Sequence, residues 1–152
     1  MREGIATRPS KKSLRVATAA DRAFCEALAR VNMRPYLVCR GLAWDSLKYA
    51  HDWPLIESWV IEVDGEPVGV VRFSEEKEAL YVRDLQVRES FRCVGLGTWA
   101  MAEVKEEARA RGLKGLRLKV APENPAKRLY ERLGYVDMGA EGSGRKMVCN
   151  AG

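Results

Sequence analysis

Histidine is almost absent from this 152-residue sequence, with His51 its single example, and the four cysteines form no Cys-x-x-Cys pair. A zinc site needs Cys and His ligands at short spacings, so this scarcity argues against a bound metal. No run approaches the roughly 20 apolar residues that cross a bilayer. The basic N-terminus also lacks the apolar run and cleavage site of a secretory signal. These absences favour a cytoplasmic protein with reduced thiols and no membrane partner.

The net charge of +5 is concentrated at one end of the chain. Residues 1–15 carry five Lys or Arg side chains against Glu3 alone, a balance of +4, which leaves +1 for the remainder. A basic segment ahead of a nearly neutral body is typical of a solvated arm rather than a nucleic-acid surface. We predict a flexible basic arm over residues 1–12, a single domain over residues 13–152 and no nucleic-acid partner.

Hydrophobic periodicity switches several times along the domain between strand and helix spacing. An irregular segment is expected over residues 32–41, around Pro35. This order of elements predicts an α+β domain with a mixed, mostly antiparallel central sheet flanked by helices. The predicted strands are 13–18, 58–63, 67–74, 79–87, 115–120, 135–139 and 145–149, and the predicted helices are 19–31, 45–51, 96–111 and 124–133.

The strand predicted over residues 79–87 changes the parity of its apolar positions. Leu80 and Val82 are even, whereas Leu85 and Val87 are odd. Successive side chains of a strand point to opposite faces, so a β-bulge between Val82 and Leu85 would bring all four to one face. Such a bulge would also redirect Asp84.

A glycine loop, Arg92-Cys93-Val94-Gly95-Leu96-Gly97-Thr98, precedes the third predicted helix. The first N–H groups of a helix have no internal acceptors, and together with the helix dipole they form an anion site. The loop is open to three interpretations: a packing turn, a dinucleotide-binding loop or a pyrophosphate loop of another kind. The dinucleotide pattern expects βαβ units, which are not predicted here, and no Gly-Lys-Ser/Thr of a P-loop follows.

A second segment, Asn124-Pro125-Ala126-Lys127-Arg128-Leu129-Tyr130-Glu131-Arg132-Leu133-Gly134-Tyr135, lies further along the chain. Together with Arg92-x-x-Gly95-x-Gly97 and the strand end Leu85-Gln86-Val87, it resembles the two signature regions of the GCN5-related N-acetyltransferase (GNAT) superfamily. The resemblance extends over roughly residues 14–149, and its specific motifs lie within 85–98 and 120–135. It implies the acyl-CoA N-acyltransferase fold and acetyl-CoA as cofactor.

The resemblance also implies how the coenzyme is bound. The pyrophosphate would lie on the N–H groups of residues 93–98, and the pantetheine arm would lie between strand 79–87 and strand 115–120. Asn124 would contact the arm, or would only cap its helix. The family often has glycine and a basic residue where Cys93 and Val94 stand, which would weaken coenzyme binding. The implied cofactor-binding residues are Leu85, Gln86, Val87, Arg92, Cys93, Val94, Gly95, Leu96, Gly97, Thr98, Asn124 and Tyr130.

By the same resemblance, Tyr130 donates to the coenzyme sulfur as the thiolate leaves. Transfer from a phenol of pKa ~10 to a thiolate of pKa ~8.5 is uphill by roughly 2 kcal/mol, so a hydrogen bond would suffice. The acceptor amine must lose a proton, and Asp84 is the first candidate base. A structural carboxylate beside Arg83 is an equally good interpretation of Asp84. The weaker candidate bases are Glu57, Glu123 and His51.

The acceptor pocket is expected between the first two helices, where Arg34, Tyr36, Trp44 and Asp45 are candidates to bind a small zwitterion. Trp53 is a further candidate, but ordinary packing explains it as well. The predicted function is an acetyl-CoA-dependent N-acetyltransferase acting on a primary amine of a small molecule or peptide, by direct attack on the thioester. The alternative is a non-catalytic acyl-CoA-binding regulatory module. The oligomeric state is left open, with a homodimer as one alternative.

Overall fold

The computed structural model describes residues 10–152. The basic arm predicted over residues 1–12 lies outside them except for its last three residues, and Lys12 already begins the first strand. No helix of the described part is long and apolar enough to cross a membrane. The strands are Lys12–Val16 (β1), Glu57–Val63 (β2), Glu66–Glu76 (β3), Ala79–Val87 (β4), Gly115–Val120 (β5), Val136–Glu141 (β6) and Gly144–Asn150 (β7). The helices are Arg22–Cys39 (α1), Ser46–Asp52 (α2), Leu96–Ala110 (α3) and Ala126–Arg132 (α4).

All seven strands form one sheet in the order β1-β2-β3-β4-β5-β7-β6. Only β4 and β5 are parallel; every other neighbouring pair is antiparallel. The parallel pair is joined by the α3 crossover, as a parallel connection requires. The predicted mixed, mostly antiparallel α+β fold is therefore confirmed.

The two faces of the sheet are covered by different helices. On what we call the α3 face, Phe73, Leu80 and Val82 belong to the same apolar core as Ala100 and Val104 of α3. On what we call the α1 face, a second and smaller core joins α1 and α2 to β2 and β3. The buried members of that smaller core are Cys25, Ala29, Tyr49, Val60 and Val70.

The predicted bulge in β4 is confirmed by the register of the β3–β4 pair. Phe73 pairs with Val82 and Arg72 pairs with Asp84, so Arg83 is the extra residue. Leu85 consequently packs with the α3-face core. Asp84 is turned to the α1 face, where it lines a cavity with residues of α1 and α2.

The prediction that the first helix ends at Val31 is wrong, because α1 continues through Pro35 to Cys39. Proline inside a helix removes one hydrogen bond and costs about 3 kcal/mol. Contacts on both sides of the proline offset this cost. Asn32 donates to Val87 O at 3.2 Å, and Arg40 forms an ion pair with Glu123 at 2.8 Å.

Candidate active site

A gap between β4 and β5 is the main feature of the site. The two strands pair only from Ala79–Val82 to Gly115–Leu118. Beyond this point β4 stays on β3 as far as Val87, and β5 stays on β7 as far as Val120. The two strands therefore diverge at their C-terminal ends, where the β4 edge from Arg83 onward offers main-chain groups to an extended ligand.

The glycine loop lies beside this gap. A Cβ atom on Gly97 would contact Leu85 Cδ2 at 3.7 Å and Leu129 Cδ2 at 3.4 Å, so the start of α3 lies close to both β4 and α4. Gly95 has nothing within 4 Å of such an atom, but its φ of +85° is one that only glycine adopts freely. Gly95 is thus favoured by the left-handed turn, whereas a Cβ atom at residue 97 would make only ordinary van der Waals contacts.

The main-chain N–H groups of residues 93–98 have no acceptor within the described chain. The first N–H group after residue 92 to form a hydrogen bond is that of Trp99, which donates to Gly95 O at 2.9 Å. Six free donors at the N-terminus of a 15-residue helix form an anion site that fits a pyrophosphate. The residues present therefore fit the coenzyme that the sequence predicts.

Cys93 occupies the left-handed region with φ +63°. For a residue with a Cβ atom this conformation costs roughly 1–2 kcal/mol relative to glycine. The backbone at residue 93 thus keeps the turn that glycine would adopt without strain. Cys93 and Val94 are both exposed, so neither side chain fills the site.

Arg92 begins a chain of side-chain hydrogen bonds that ends at Asp84. Arg92 Nη2 donates to Asn32 Oδ1 at 2.6 Å, and Asn32 Nδ2 donates to Gln86 Oε1 at 2.9 Å. Gln86 Nε2 then donates to Asp84 Oδ1 at 2.7 Å. In each bond the residue nearer Arg92 in this chain is the donor, so the Asp84 carboxylate accepts the last hydrogen bond. The sequence reasoning missed Asn32, because the residue lies in the segment that was expected to be irregular.

Asp84 lines the cavity on the α1 face. Burial raises the pKa of its carboxyl group, against the opposing effects of the Gln86 hydrogen bond and the Arg72 charge. A raised pKa makes a carboxylate a better proton acceptor.

Tyr130 is buried in α4, with its ring centroid 5.8 Å from that of Tyr135. Burial raises the pKa of the Tyr130 phenol, and the negative charge of Asp84 raises it further. The two candidate catalytic residues are thus carried by different elements, Asp84 by β4 and Tyr130 by α4. The phenol remains protonated and serves as a donor across the neutral pH range.

The cavity on the α1 face has a volume of about 610 Å³. Trp44 lines it, and the Trp44 Nε1 donates to Glu26 at 2.9 Å. Asp45 accepts from Lys48 N at 3.0 Å as the N-cap of α2, and lines an adjoining recess. Arg34 and Tyr36 line neither space.

The weaker candidate bases lie elsewhere. Glu57 forms an ion pair with Arg111 at 2.8 Å, and Glu123 with Arg40 at 2.8 Å. His51 is largely exposed. None of the three lines the cavity. Asn124 Oδ1 accepts from Ala126 N at 2.9 Å, the bond expected of a helix cap.

A gap between two parallel strands with a free anion loop at its side is the arrangement expected of the acyl-CoA N-acyltransferase fold. The model of the acetyltransferase (GNAT) family matches residues 22–135, about three quarters of the chain. The chain belongs to this family. Membership confirms the predicted resemblance and cofactor, acetyl-CoA.

Solved structures of low sequence identity share the fold. The PaiA N-acetyltransferase of Thermoplasma acidophilum, in complex with coenzyme A, is 14% identical with a TM-score of 0.75, covering 92% of this chain and 99% of that one. The spermidine N-acetyltransferase of Vibrio cholerae, with CoA and spermine, is 18% identical with a TM-score of 0.72, covering 92% and 95%.

The ribosomal-protein-S18-alanine N-acetyltransferase of Escherichia coli is 17% identical with a TM-score of 0.68, covering 93% of this chain and 94% of that one. At these identities the likeness concerns the fold alone. A search of curated protein sequences found no match.

Proposed function

We propose that this protein is an N-acetyltransferase that moves an acetyl group from acetyl-CoA to a primary amine by direct attack on the thioester. The observation that carries the proposal is the gap between β4 and β5, with the free N–H groups of the glycine loop beside it and with Asp84 lining the cavity on the α1 face. Family membership supports acyl transfer in general.

The coenzyme supplies the activated acetyl group, and the residues of the chain bind, orient and exchange protons. The N–H groups of residues 93–98 bind the diphosphate. Main-chain groups of residues 85–87 hold the extended arm along the β4 edge. Arg92 braces this edge, because its Nε donates to Val87 O at 3.1 Å. Asn124 holds the first turn of α4, which carries Tyr130.

Asp84 accepts the proton of the acceptor amine, and Gln86 orients its carboxylate. Tyr130 donates a hydrogen bond to the sulfur. Its raised pKa makes full proton transfer to a thiolate of pKa ~8.5 more costly than for a free phenol, so a hydrogen bond is the expected contribution.

The proposal is tested by incubating the protein with acetyl-CoA and a panel of primary amines while following free thiol. Turnover of at least one amine is expected, and Tyr130→Phe should lower kcat with little change in coenzyme affinity. An unchanged kcat would remove Tyr130 from its role. Coenzyme binding without turnover across the panel would instead favour the non-catalytic acyl-CoA-binding module.

A further inference from the structure

Not all of the charged side chains that line the cavity on the α1 face form ion pairs. Lys48 Nζ lies 2.6 Å from Asp52 Oδ2, and Arg83 forms an ion pair with Glu76. These pairs neutralise four of the six charged side chains in the lining. Arg72 and Asp84 are the other two, and neither has an ion-pair partner within the described chain.

Arg72 is held rigidly. It is 3% exposed, and its Cζ lies 4.8 Å from the ring centroid of Tyr49 and 4.9 Å from that of Trp53. Its Nε donates to Ser58 Oγ at 2.9 Å. Its Nη2 is buried without any acceptor among residues 10–152.

A buried charged donor without an acceptor is costly. Arg72 lines the cavity, so an anionic group of a ligand there would meet a positive charge that no ion pair neutralises. A carboxylate suits this role, because it accepts charge-assisted hydrogen bonds from a guanidinium. The neighbouring Tyr49 and Trp53 rings and the Ser58 hydrogen bond keep the guanidinium in one orientation, so little side-chain entropy remains to be lost on binding.

Arg72 and Asp84 face each other directly across the β3–β4 pair. Side chains in such positions start about 5 Å apart. A molecule that contacts both therefore carries an anionic group as well as an amine. We infer that the acceptor is an amino acid, with its carboxylate bound by Arg72 and its amine delivered to Asp84.

This inference rests on the proposed function, and it replaces Arg34 and Asp45 as the groups expected to hold a zwitterion. Neither of those side chains lines the larger cavity. A polyamine, which has no anionic group, would leave Arg72 without an acceptor and is disfavoured. The Trp44 and Met33 side chains give the lining an apolar part, which suits the side chain of the amino acid.

The test compares free amino acids with their carboxamides and with the matching decarboxylated amines, at saturating acetyl-CoA. Loss of a charge-assisted hydrogen bond costs about 1.5–3 kcal/mol, so kcat/KM for the acid should exceed that for the amide about ten- to hundredfold. Amides or simple amines that react as well as the acids would overturn the inference and leave the proposed function standing. No turnover of any amine would overturn both.

Arg72→Gln should reduce the acid-over-amide preference towards one. Lys48→Gln, which removes a cation from the same lining, should leave the preference unchanged and is the matched control. A preference that survives Arg72→Gln, or falls equally in Lys48→Gln, would contradict the assignment. If Arg72→Gln does not fold by circular dichroism, the ratio measured with the unmodified protein decides alone.

Discussion

The two faces of the sheet differ in what they bury. The α3 face carries a large apolar core that includes Phe73, Met101 and Val104. The α1 face carries only a small apolar core, and all three of the buried polar residues in the described chain (Ser58, Arg72 and Gln86) lie there. The α3 face therefore provides most of the apolar burial that stabilises the fold, whereas the α1 face buries polar groups that cost stability and to which the proposals above assign binding and catalysis.

Asp84→Asn gives the sharpest test of this division. Loss of a general base lowers kcat by about 10²- to 10⁴-fold. The free energy of unfolding at pH 7, in contrast, should rise. Burial raises the pKa of Asp84 in the folded state, so the ionised carboxylate lowers stability above the unfolded pKa. Asparagine avoids that cost and still accepts from Gln86.

The measurements are steady-state kinetics and urea unfolding at pH 7 and pH 4. The variant should be at least as stable as the unmodified protein at pH 7, and its advantage should shrink towards pH 4, as the carboxyl group becomes protonated. A variant that is clearly less stable at pH 7 would show that Asp84 is a structural residue.

Phe73→Ala should do the reverse and lower the stability of the fold while changing kcat little. Phe73 is fully buried in the α3-face core and makes an edge contact with Trp59 at a centroid distance of 4.9 Å. Truncation of such a ring costs about 3–5 kcal/mol. Urea unfolding measures the loss, and kcat at a temperature where the variant is folded should change little. Tyr49→Phe on the α1 face is the contrasting control, since it removes a buried hydroxyl without an acceptor and should cost little or nothing.

Gln86→Leu should separate positioning from chemistry on the α1 face. The Gln86 hydrogen bond lowers the pKa of Asp84, so its removal raises that pKa. The base form is then populated only at higher pH, so the acidic limb of the kcat profile should move to higher pH.

Asn32 is one hydrogen bond further from Asp84 than Gln86 is. Asn32→Ala should therefore shift the acidic limb of the kcat profile by a smaller amount. A uniform loss of kcat with an unshifted profile would show that Gln86 acts only by packing. Circular dichroism and coenzyme affinity serve as controls, because the main chain of Gln86 also lies along the edge proposed to hold the coenzyme.

Local chemistry explains which features could be predicted from the sequence. The bulge followed from apolar parity between Leu80 and Val87, and the anion loop followed from glycines ahead of a helical period. Neither feature depends on distant parts of the chain.

The cavity on the α1 face could not be predicted in the same way. It depends on α2 and Trp53 packing over β3, and on α1 continuing past Pro35 because of tertiary contacts. One signal was available: Arg72 is a charged residue among the apolar residues of β3, at the parity that faces α1 rather than α3. A charge at such a position indicates a site or a buried pair.

Cys93→Gly should give the smallest effect of these variants, and the effect should be confined to the glycine loop. Glycine removes the left-handed strain of roughly 1–2 kcal/mol but adds about 0.5–1 kcal/mol of unfolded-state entropy, so the net gain in stability is at most about 1.5 kcal/mol. Thermal unfolding with and without coenzyme A measures the gain and the change in affinity. Cys93→Ala, which keeps the strain and removes the thiol, is the matched control. If alanine improves coenzyme affinity as much as glycine does, the thiol rather than the backbone conformation limits binding at this turn.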